Sequence, residues 1–180
     1  MNFNYTNFVS KIRKAASSKN PSETVFDELR ATLNDQRLLN EGLPIQGEDE
    51  ILLFEDDTVS IWSCMFDPQF IMPAHEHKME VHIGAVTGFE KNIMFEKNGN
   101  SLEHTETKIV SPGEILSIRE DAIHAVSARG EKHSHALHVY MGPLTKVKRD
   151  LFEWETGQAV TFSEENFDSM KRSSKDYPSL

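Results

Sequence analysis

The 180-residue sequence is poor in cysteine, in basic segments and in long apolar runs, and each shortage excludes a class of protein. One cysteine, Cys64, cannot form an internal disulfide, which is typical of a reducing compartment. No apolar stretch reaches the roughly 20 residues that span a bilayer. Lys11, Arg13 and Lys14 occupy the segment where a signal peptide needs its apolar core. These features predict a cytoplasmic protein.

Basic residues are also outnumbered, since 19 lysines and arginines face 29 acidic residues and give a net charge of −10. An acidic chain without a basic cluster does not neutralise phosphates, so neither a nucleic acid nor an anionic membrane is expected as a partner. The same charge is explained by solubility alone. The sequence also has no phosphate-binding loop, dinucleotide-binding fingerprint or nucleophile elbow.

The hydrophobic fraction of 38% and the charged fraction of 27% are ordinary for one globular domain. Residues 1–44 are predicted to form a helical extension that packs on the rest. Its first helix is indicated by Phe8, Val9, Ile12 and Ala16 at helical spacing. A break follows, and Ser22 suits the capped start of a second helix. The second apolar stripe is made of Val25, Phe26, Leu29, Leu33 and Leu38.

After Pro44 the pattern changes to short apolar or alternating segments separated by turn residues, which predicts an all-β barrel or sandwich over residues 45–162. The predicted strands are 51–54, 59–66, 81–87, 92–96, 105–110, 115–118, 123–128 and 136–141. A last strand is expected within Trp154 to Phe162. Residues 163–180 are polar and are expected to form a tail that frays or wraps the surface.

All eight histidines lie between His75 and His138. His75 and His77 are two residues apart, so on a strand both imidazoles lie on one face and can bind one ion. His124 is flanked by apolar residues in a later strand. Alone it would be a core histidine, but beside a His-x-His pair in a β domain ligation becomes the better interpretation. The three histidines are therefore the predicted metal ligands.

His138 and Tyr140 also share a strand face. They are either amphipathic packing residues or a pair in which the imidazole holds the phenol hydroxyl toward a bound substrate. The other four histidines have no recognisable partner pattern and are expected at the surface or in loops: His82, His104, His133 and His135. Cys64, inside an apolar strand, is expected to be buried and inert.

The segment from about residue 45 to 160 resembles the cupin superfamily and, more closely, the thiol dioxygenases of the cysteine-dioxygenase type. The resemblance rests on Pro73-Ala74-His75-Glu76-His77, on Gly84 and Gly88 after it, on His124, and on Leu137-His138-Val139-Tyr140. It implies a mainly β fold, the cupin double-stranded β-helix or jelly-roll barrel, with N-terminal α-helices.

For function, the resemblance implies a non-heme Fe(II) dioxygenase that oxidises a small thiol to a sulfinic acid, with His138 and Tyr140 at the active site. The implied partners are dioxygen and a small-molecule substrate. Cysteine-specific relatives bind the substrate carboxylate with an early arginine, but this chain has no arginine between Arg37 and Arg119. Lys78 would be only a point-charge substitute. The substrate is therefore not expected to be L-cysteine specifically.

Two alternatives stay open. Ordinary cupins have a glutamate as a fourth ligand, but its position falls here on Val81, and Glu80 is one residue away on the opposite face. Glu80 as a real ligand would favour an isomerase or lyase using Zn, Mn or Ni. The absent arginine instead fits a non-enzymatic binding cupin. The oligomeric state is expected to be a monomer or a homodimer.

Overall fold

The computed structural model describes residues 3–43, 46–99 and 101–176, without the side chain of Gln36. Three helices precede the first strand, namely α1 (Tyr5–Ala16), α2 (Pro21–Leu33) and α3 (Gln36–Glu41). The Asn4 side chain caps α1 by accepting a hydrogen bond from the Asn7 N–H at 3.0 Å. Helix α3 ends at Glu41, just before the predicted end of the helical extension at residue 44, and Pro44 itself lies outside the described residues.

The predicted start of α2 is wrong in detail. The helix begins at Pro21, whose fixed φ suits the first helical turn, and its N-cap residue is Asn20. Ser22 does not cap the helix, because its hydroxyl lies 3.3 Å from Nε2 of His82 on the barrel. Leu38 lies on α3 and not on the stripe of α2, because the chain turns after Leu33.

The described residues form thirteen strands, which include all the strands predicted between residues 51 and 141 and several short ones that were not predicted. They are β1 (Glu50–Glu55), β2 (Ser60–Phe66), β3 (Phe70–Ile71), β4 (Ala74–Glu76), β5 (Val81–Thr87), β6 (Glu90–Asn98), β7 (Ser101–Val110), β8 (Ile115–Ile118), β9 (Ile123–Ala128), β10 (Ser134–Tyr140), β11 (Asp150–Phe152), β12 (Ala159–Thr161) and β13 (Arg172–Ser173).

The strands form two main antiparallel sheets, ordered β1-β2-β10-β5-β8 and β12-β11-β4-β9-β6-β7. From β4 to β11 the chain crosses repeatedly from one sheet to the other, so the two sheets wind together and enclose one interior. This winding is the double-stranded β-helix, and the predicted mainly β fold with N-terminal helices is confirmed.

The helices pack on the outer face of the first sheet. Side chains alternate along a strand, so Leu137 and Val139 of β10 face the helices with Leu29 of α2, while the intervening residues face the interior. Gly84 permits the close approach of α2, because a Cβ there would lie 2.9 Å from Leu33 Cδ1. The sheet is thus supported from behind, and its inner face is free for the site.

The C-terminal part departs from prediction. The strand expected within Trp154 to Phe162 is present but shorter than that range: β11 ends at Phe152, a turn follows, and only Ala159–Thr161 is extended. The segment expected as a polar tail contains helix α4 (Glu164–Ser169), which is capped by Ser163 and buries Phe167. Among the described helices, none is both long enough and apolar enough to span a membrane.

Candidate metal centre

The register of β4 and β9 brings the predicted ligands together. His75 is the direct cross-strand partner of His124, and His77 follows two residues later. Their ring centroids are 4.5 Å apart for His75 and His124, and 4.9 Å apart for each of the other two pairs. One candidate ligand atom from each residue lies within 4.8 Å of the others. All three side chains are buried in the barrel interior.

The hydrogen bonds of two imidazoles fix which nitrogen faces the cluster. Nδ1 of His75 lies 2.9 Å from the carbonyl oxygen of Pro73, and Nδ1 of His124 lies 2.8 Å from Oδ1 of Asn92. Both partners only accept, so each Nδ1 carries the proton and each Nε2 has a free lone pair. These two imidazoles therefore present the tautomer that a metal ligand needs.

His77 completes the set with less support. Its Nε2 lies 3.3 Å from Nε2 of His124, and its buried Nδ1 has no hydrogen-bond partner among the described residues. Two nitrogens of neutral imidazoles that face each other at this distance are satisfied together if a cation lies between them. The three residues thus fit a divalent metal ion.

The electrostatics of the cluster favour neutral imidazoles. Burial, together with the nearby charge of Arg149, lowers the pKa of His75 to about 3. Burial and the neighbouring histidines hold the pKa values of His77 and His124 well below the usual value. All three side chains therefore stay deprotonated near pH 7, which is the state that binds a metal.

Tyr140 and His138 lie beside this cluster. The ring centroids of Tyr140 and His77 are 5.0 Å apart, and the Tyr140 hydroxyl lies 3.3 Å from Nδ1 of His138. Burial first, and then the neighbouring acidic groups that include Glu50, raise the pKa of Tyr140 well above its usual value. The phenol therefore stays protonated. Their catalytic role remains a prediction, although the contact between them is present.

Glu80 lies outside the cluster. It has the strand parity expected from the sequence, and its Oε1 lies 3.9 Å from Nε2 of His82 on the face that meets the helices. Among the described residues, the only group of three or more histidine, cysteine or carboxylate side chains that could hold one ion is His75, His77 and His124. Nothing in this geometry supports a carboxylate ligand.

The expectation that four histidines lie at the surface is wrong for two of them. His82 is buried between α2 and β8, where Nδ1 lies 2.8 Å from the Ser117 hydroxyl. His135 is buried, with Nε2 3.1 Å from the Ser63 hydroxyl. Both lie on the outer face of the first sheet. They are buried because the helices cover that face. His104 and His133 are exposed, as predicted.

A cavity of about 660 Å³ opens over the cluster and is lined by His75, His77 and Tyr140. The C-terminal segment forms one wall with Phe162, Phe167 and Lys171. Most of the remaining wall residues that carry a charge are acidic: Glu48, Asp49, Glu50, Glu164 and Asp168. The cavity is therefore a polar chamber for a small molecule, with two of the three imidazoles in its wall.

Arg149, which sequence reasoning did not single out, supplies a cation to this cavity. Its guanidinium carbon lies 3.4 Å from the centroid of the Phe162 ring. Among the described residues, no side chain hydrogen-bonds the guanidinium, and Glu50 and Glu76 act on it only as nearby charges. Lys78 is instead paired with Glu76 at 2.6 Å. Arg149 follows β10 and cannot be assigned to the cavity without the fold.

Cys64 is buried as expected and lies near the cavity carboxylate Glu50, with 3.9 Å between its sulfur and Oε1. Burial and the charges of Glu50 and Glu90 raise the pKa of the thiol well above its usual value. The thiol therefore stays protonated, and a nucleophilic role for Cys64 has no support in its surroundings.

No family model matches the chain, and no curated protein matches it. Similar solved structures include a double-stranded β-helix protein from Klebsiella pneumoniae (13% identity, TM-score 0.47), where the match covers 65% of this chain and 92% of that one. An RmlC-like cupin from Methanocaldococcus jannaschii matches at 14% identity and TM-score 0.46, with 57% and 90% covered. A hydroquinone 1,2-dioxygenase from Sphingomonas sp. TTNP3 matches at 8% identity and TM-score 0.46, with 55% and 68% covered.

Proposed function

We propose that the protein is a non-heme Fe(II) dioxygenase that converts a small thiol bearing a carboxylate into the sulfinic acid. The reaction is R–SH + O₂ → R–SO₂H, in which both oxygen atoms of dioxygen enter the product. The observation that carries the proposal is a cluster of three neutral imidazoles, two of which, His75 and His77, line a small-molecule cavity that also contains Arg149 and Tyr140. Iron, when bound, supplies the redox chemistry.

The protein groups divide the remaining work. Three uncharged imidazoles would hold the ion without adding negative charge, which favours an anionic thiolate over a neutral ligand. Arg149 offers a planar fork of donors for the substrate carboxylate. Together these groups hold the two ends of a short molecule, so that its sulfur lies next to the imidazole cluster.

We infer the substrate class from the residues of the cavity, and these do not single out L-cysteine. A guanidinium that has no hydrogen-bonded protein partner among the described residues recognises a carboxylate on any short carbon chain. Arg149 lies immediately before β11, late in the sequence of the barrel, and not on an early strand. The distance between carboxylate and sulfur in the preferred substrate therefore need not match that of L-cysteine.

The test is oxygen uptake by the protein after anaerobic loading with Fe(II), measured with L-cysteine, mercaptoacetate, 3-mercaptopropionate and 2-mercaptoethanol. We expect uptake with at least one thiol carboxylate and a product that has gained two oxygen atoms by mass spectrometry. His77→Ala should abolish uptake and metal binding, whereas His104→Gln, which changes an exposed histidine, should preserve both. Uptake no higher than that of His77→Ala with every thiol would contradict the proposal.

Metal analysis of the protein purified without added metal tests the cofactor separately. We expect iron, and the same three imidazoles also suit Zn, Ni or Mn. Activity that returns with Fe(II) but not with Zn(II) after chelation would support the oxidative assignment. Activity restored equally by Zn(II) would instead indicate non-oxidative chemistry.

A further inference from the structure

A continuous chain of buried hydrogen bonds connects the candidate metal ligand His124 to Tyr140 through three intermediate side chains. His124 Nδ1 lies 2.8 Å from Oδ1 of Asn92, and Nδ2 of Asn92 lies 3.0 Å from Oε1 of Glu90. The other Glu90 oxygen lies 2.9 Å from Nε2 of His138, whose Nδ1 meets the Tyr140 hydroxyl at 3.3 Å. We call these five residues the Glu90 network.

The network crosses the interior of the barrel. Glu90 and Asn92 lie on β6 in one sheet, and His138 and Tyr140 lie on β10 in the other. Glu90 has no exposed surface, and the rest of the network is also buried. A carboxylate that gives up all of its hydration is costly unless its partners are well placed. Glu90 is therefore held by buried hydrogen-bond partners and is not part of a solvated ion pair.

The direction of each hydrogen bond follows from Glu90. A carboxylate only accepts, so it takes one proton from the Asn92 amide and one from Nε2 of His138. The Asn92 amide can donate to Glu90 only because its oxygen accepts from His124. A neutral His138 with its proton on Nε2 has a bare Nδ1, which accepts the hydroxyl proton of Tyr140.

We propose that Glu90 is a positioning residue that fixes the tautomer of His138. The Tyr140 hydroxyl then points its proton at Nδ1 of His138 and its oxygen lone pairs at the cavity. Tyr140 then acts toward a bound molecule as a hydrogen-bond acceptor. Through Asn92, the same carboxylate holds His124 with its Nε2 free. The part of this inference that concerns turnover rests on the proposed dioxygenase function, whereas the tautomer does not.

The direct test is nitrogen NMR of the metal-free protein labelled with ¹⁵N-histidine. The chemical shifts distinguish the two neutral tautomers and the imidazolium, and the His138 signals are assigned by their loss in His138→Gln. We expect the Nε2–H tautomer in the unchanged protein. An Nδ1–H tautomer or an imidazolium at His138 near pH 7 would overturn the proposal without any assay of activity.

Glu90→Gln provides the decisive variant because it is nearly isosteric. Its amide oxygen can still accept from Asn92, so its NH₂ group must face His138 and donate to Nε2. We expect His138 to change to the Nδ1–H tautomer and the Tyr140 hydroxyl proton to turn toward the cavity. Tyr140→Phe should leave the tautomer unchanged, because Glu90 and not Tyr140 sets it. A tautomer that follows Tyr140→Phe, or ignores Glu90→Gln, would overturn the proposal.

The kinetic test uses the same variant in the iron-loaded protein. Glu90→Gln should lower kcat by about 10- to 100-fold, as is typical for partners that orient groups at a metal site, with little change in KM for the thiol or in metal content. The matched control is Glu96→Gln, which makes the same change at an exposed position of β6. An unchanged kcat despite the altered tautomer would overturn the link to turnover. Absence of oxidation in the unchanged protein would instead reject the proposed function and leave the NMR result to decide the role of Glu90.

Discussion

Each candidate ligand has a second nitrogen, and what that nitrogen contacts distinguishes the three residues. Nδ1 of His75 is held by a backbone carbonyl and Nδ1 of His124 by the Asn92 amide oxygen, whereas Nδ1 of His77 has no partner among the described residues. A held imidazole loses less orientational freedom when it binds a metal. His75 and His124 are therefore the preorganised members of the cluster, and His77 is the member that a bound ion would have to orient.

Arg149 provides the test of substrate recognition at the level of a single residue. Removing its guanidinium in Arg149→Ala deletes a charge-assisted hydrogen bond worth about 1.5–3 kcal/mol, which corresponds to a loss of about 10- to 150-fold in kcat/KM. The loss should fall on thiols with a carboxylate and appear mainly in KM. Steady-state oxygen uptake with mercaptopropionate and with 2-mercaptoethanol measures the difference.

Arg30→Ala is the control for this prediction, because Arg30 is an exposed arginine of α2 paired with Asp27, on the helical side of the molecule. It should change neither constant. Arg149→Lys should give an intermediate loss, since it keeps the charge without the bidentate fork. An equal loss with the thiol that has no carboxylate would mean that Arg149 supports the cavity and not the substrate.

Strands and ligands could be predicted from the sequence because both depend on short-range patterns. The strands 115–118 and 123–128 are bounded by turn residues, and the structure gives these bounds unchanged. The His-x-His spacing predicts a shared face along one extended segment, and His77 keeps that face although it lies one residue beyond the end of β4. Glu90 and Arg149 could not be placed, because their roles depend on which strands pair and on what the opposite sheet presents. A charged residue at an inward position of β6 was the available signal for Glu90.

His82 and Ser22 show a related limit at the scale of elements. Each was assigned from its own neighbours in sequence, one as a surface residue and the other as a helix cap. In the fold they contact each other across the interface between α2 and β5, at 3.3 Å. A sequence pattern gives the face of a strand on which a side chain lies, but it does not tell which element covers that face.

The contact of α2 with β5 makes a prediction about packing. In Gly84→Ala the new Cβ would lie 2.9 Å from Leu33 Cδ1 and 3.2 Å from both Leu29 methyl carbons. Overpacking of this kind costs about 1–3 kcal/mol, and Leu33→Ala alone costs about 2–5 kcal/mol. The double variant should be less destabilised than the sum of the two by at least about 0.5 kcal/mol, because the added methyl occupies space that Leu33 leaves. Urea unfolding measures all three.

Gly47→Ala is the matched control, because a Cβ at Gly47 meets nothing within 4 Å. Its free energy of unfolding should stay within about 0.5 kcal/mol of that of the unchanged protein. If Gly84→Ala and Leu33→Ala are strictly additive, the close approach of α2 does not constrain the sheet that carries Tyr140.

At the scale of the whole molecule, the fold encloses several histidines whose pKa is lowered by burial. Burial lowers the pKa of five of them, which lie in two places: His75, His77 and His124 between the sheets, and His82 and His135 between sheet and helices. The double-stranded β-helix with a helical cover thus creates two interiors on either side of the first sheet. The histidines in both interiors resist protonation, so the free energy of unfolding of the metal-free protein should depend on pH.

His135 allows this dependence to be measured away from the candidate metal centre. Burial lowers its pKa to about 4, whereas in the unfolded chain the value is about 6.5. Between these values the unfolded chain binds a proton that the folded chain does not, so the free energy of unfolding falls as the pH falls from about 6.5 to about 4. One such histidine accounts for about 2 kcal/mol between pH 7 and pH 5. The measurement is urea unfolding of the chelator-treated protein at pH 7 and at pH 5. The fall in the free energy of unfolding between these two pH values should be about 2 kcal/mol smaller in His135→Gln than in the unchanged protein. His104→Gln, at an exposed position, should retain the full difference, and an equal difference in all three proteins would mean that His135 is not held neutral by the fold.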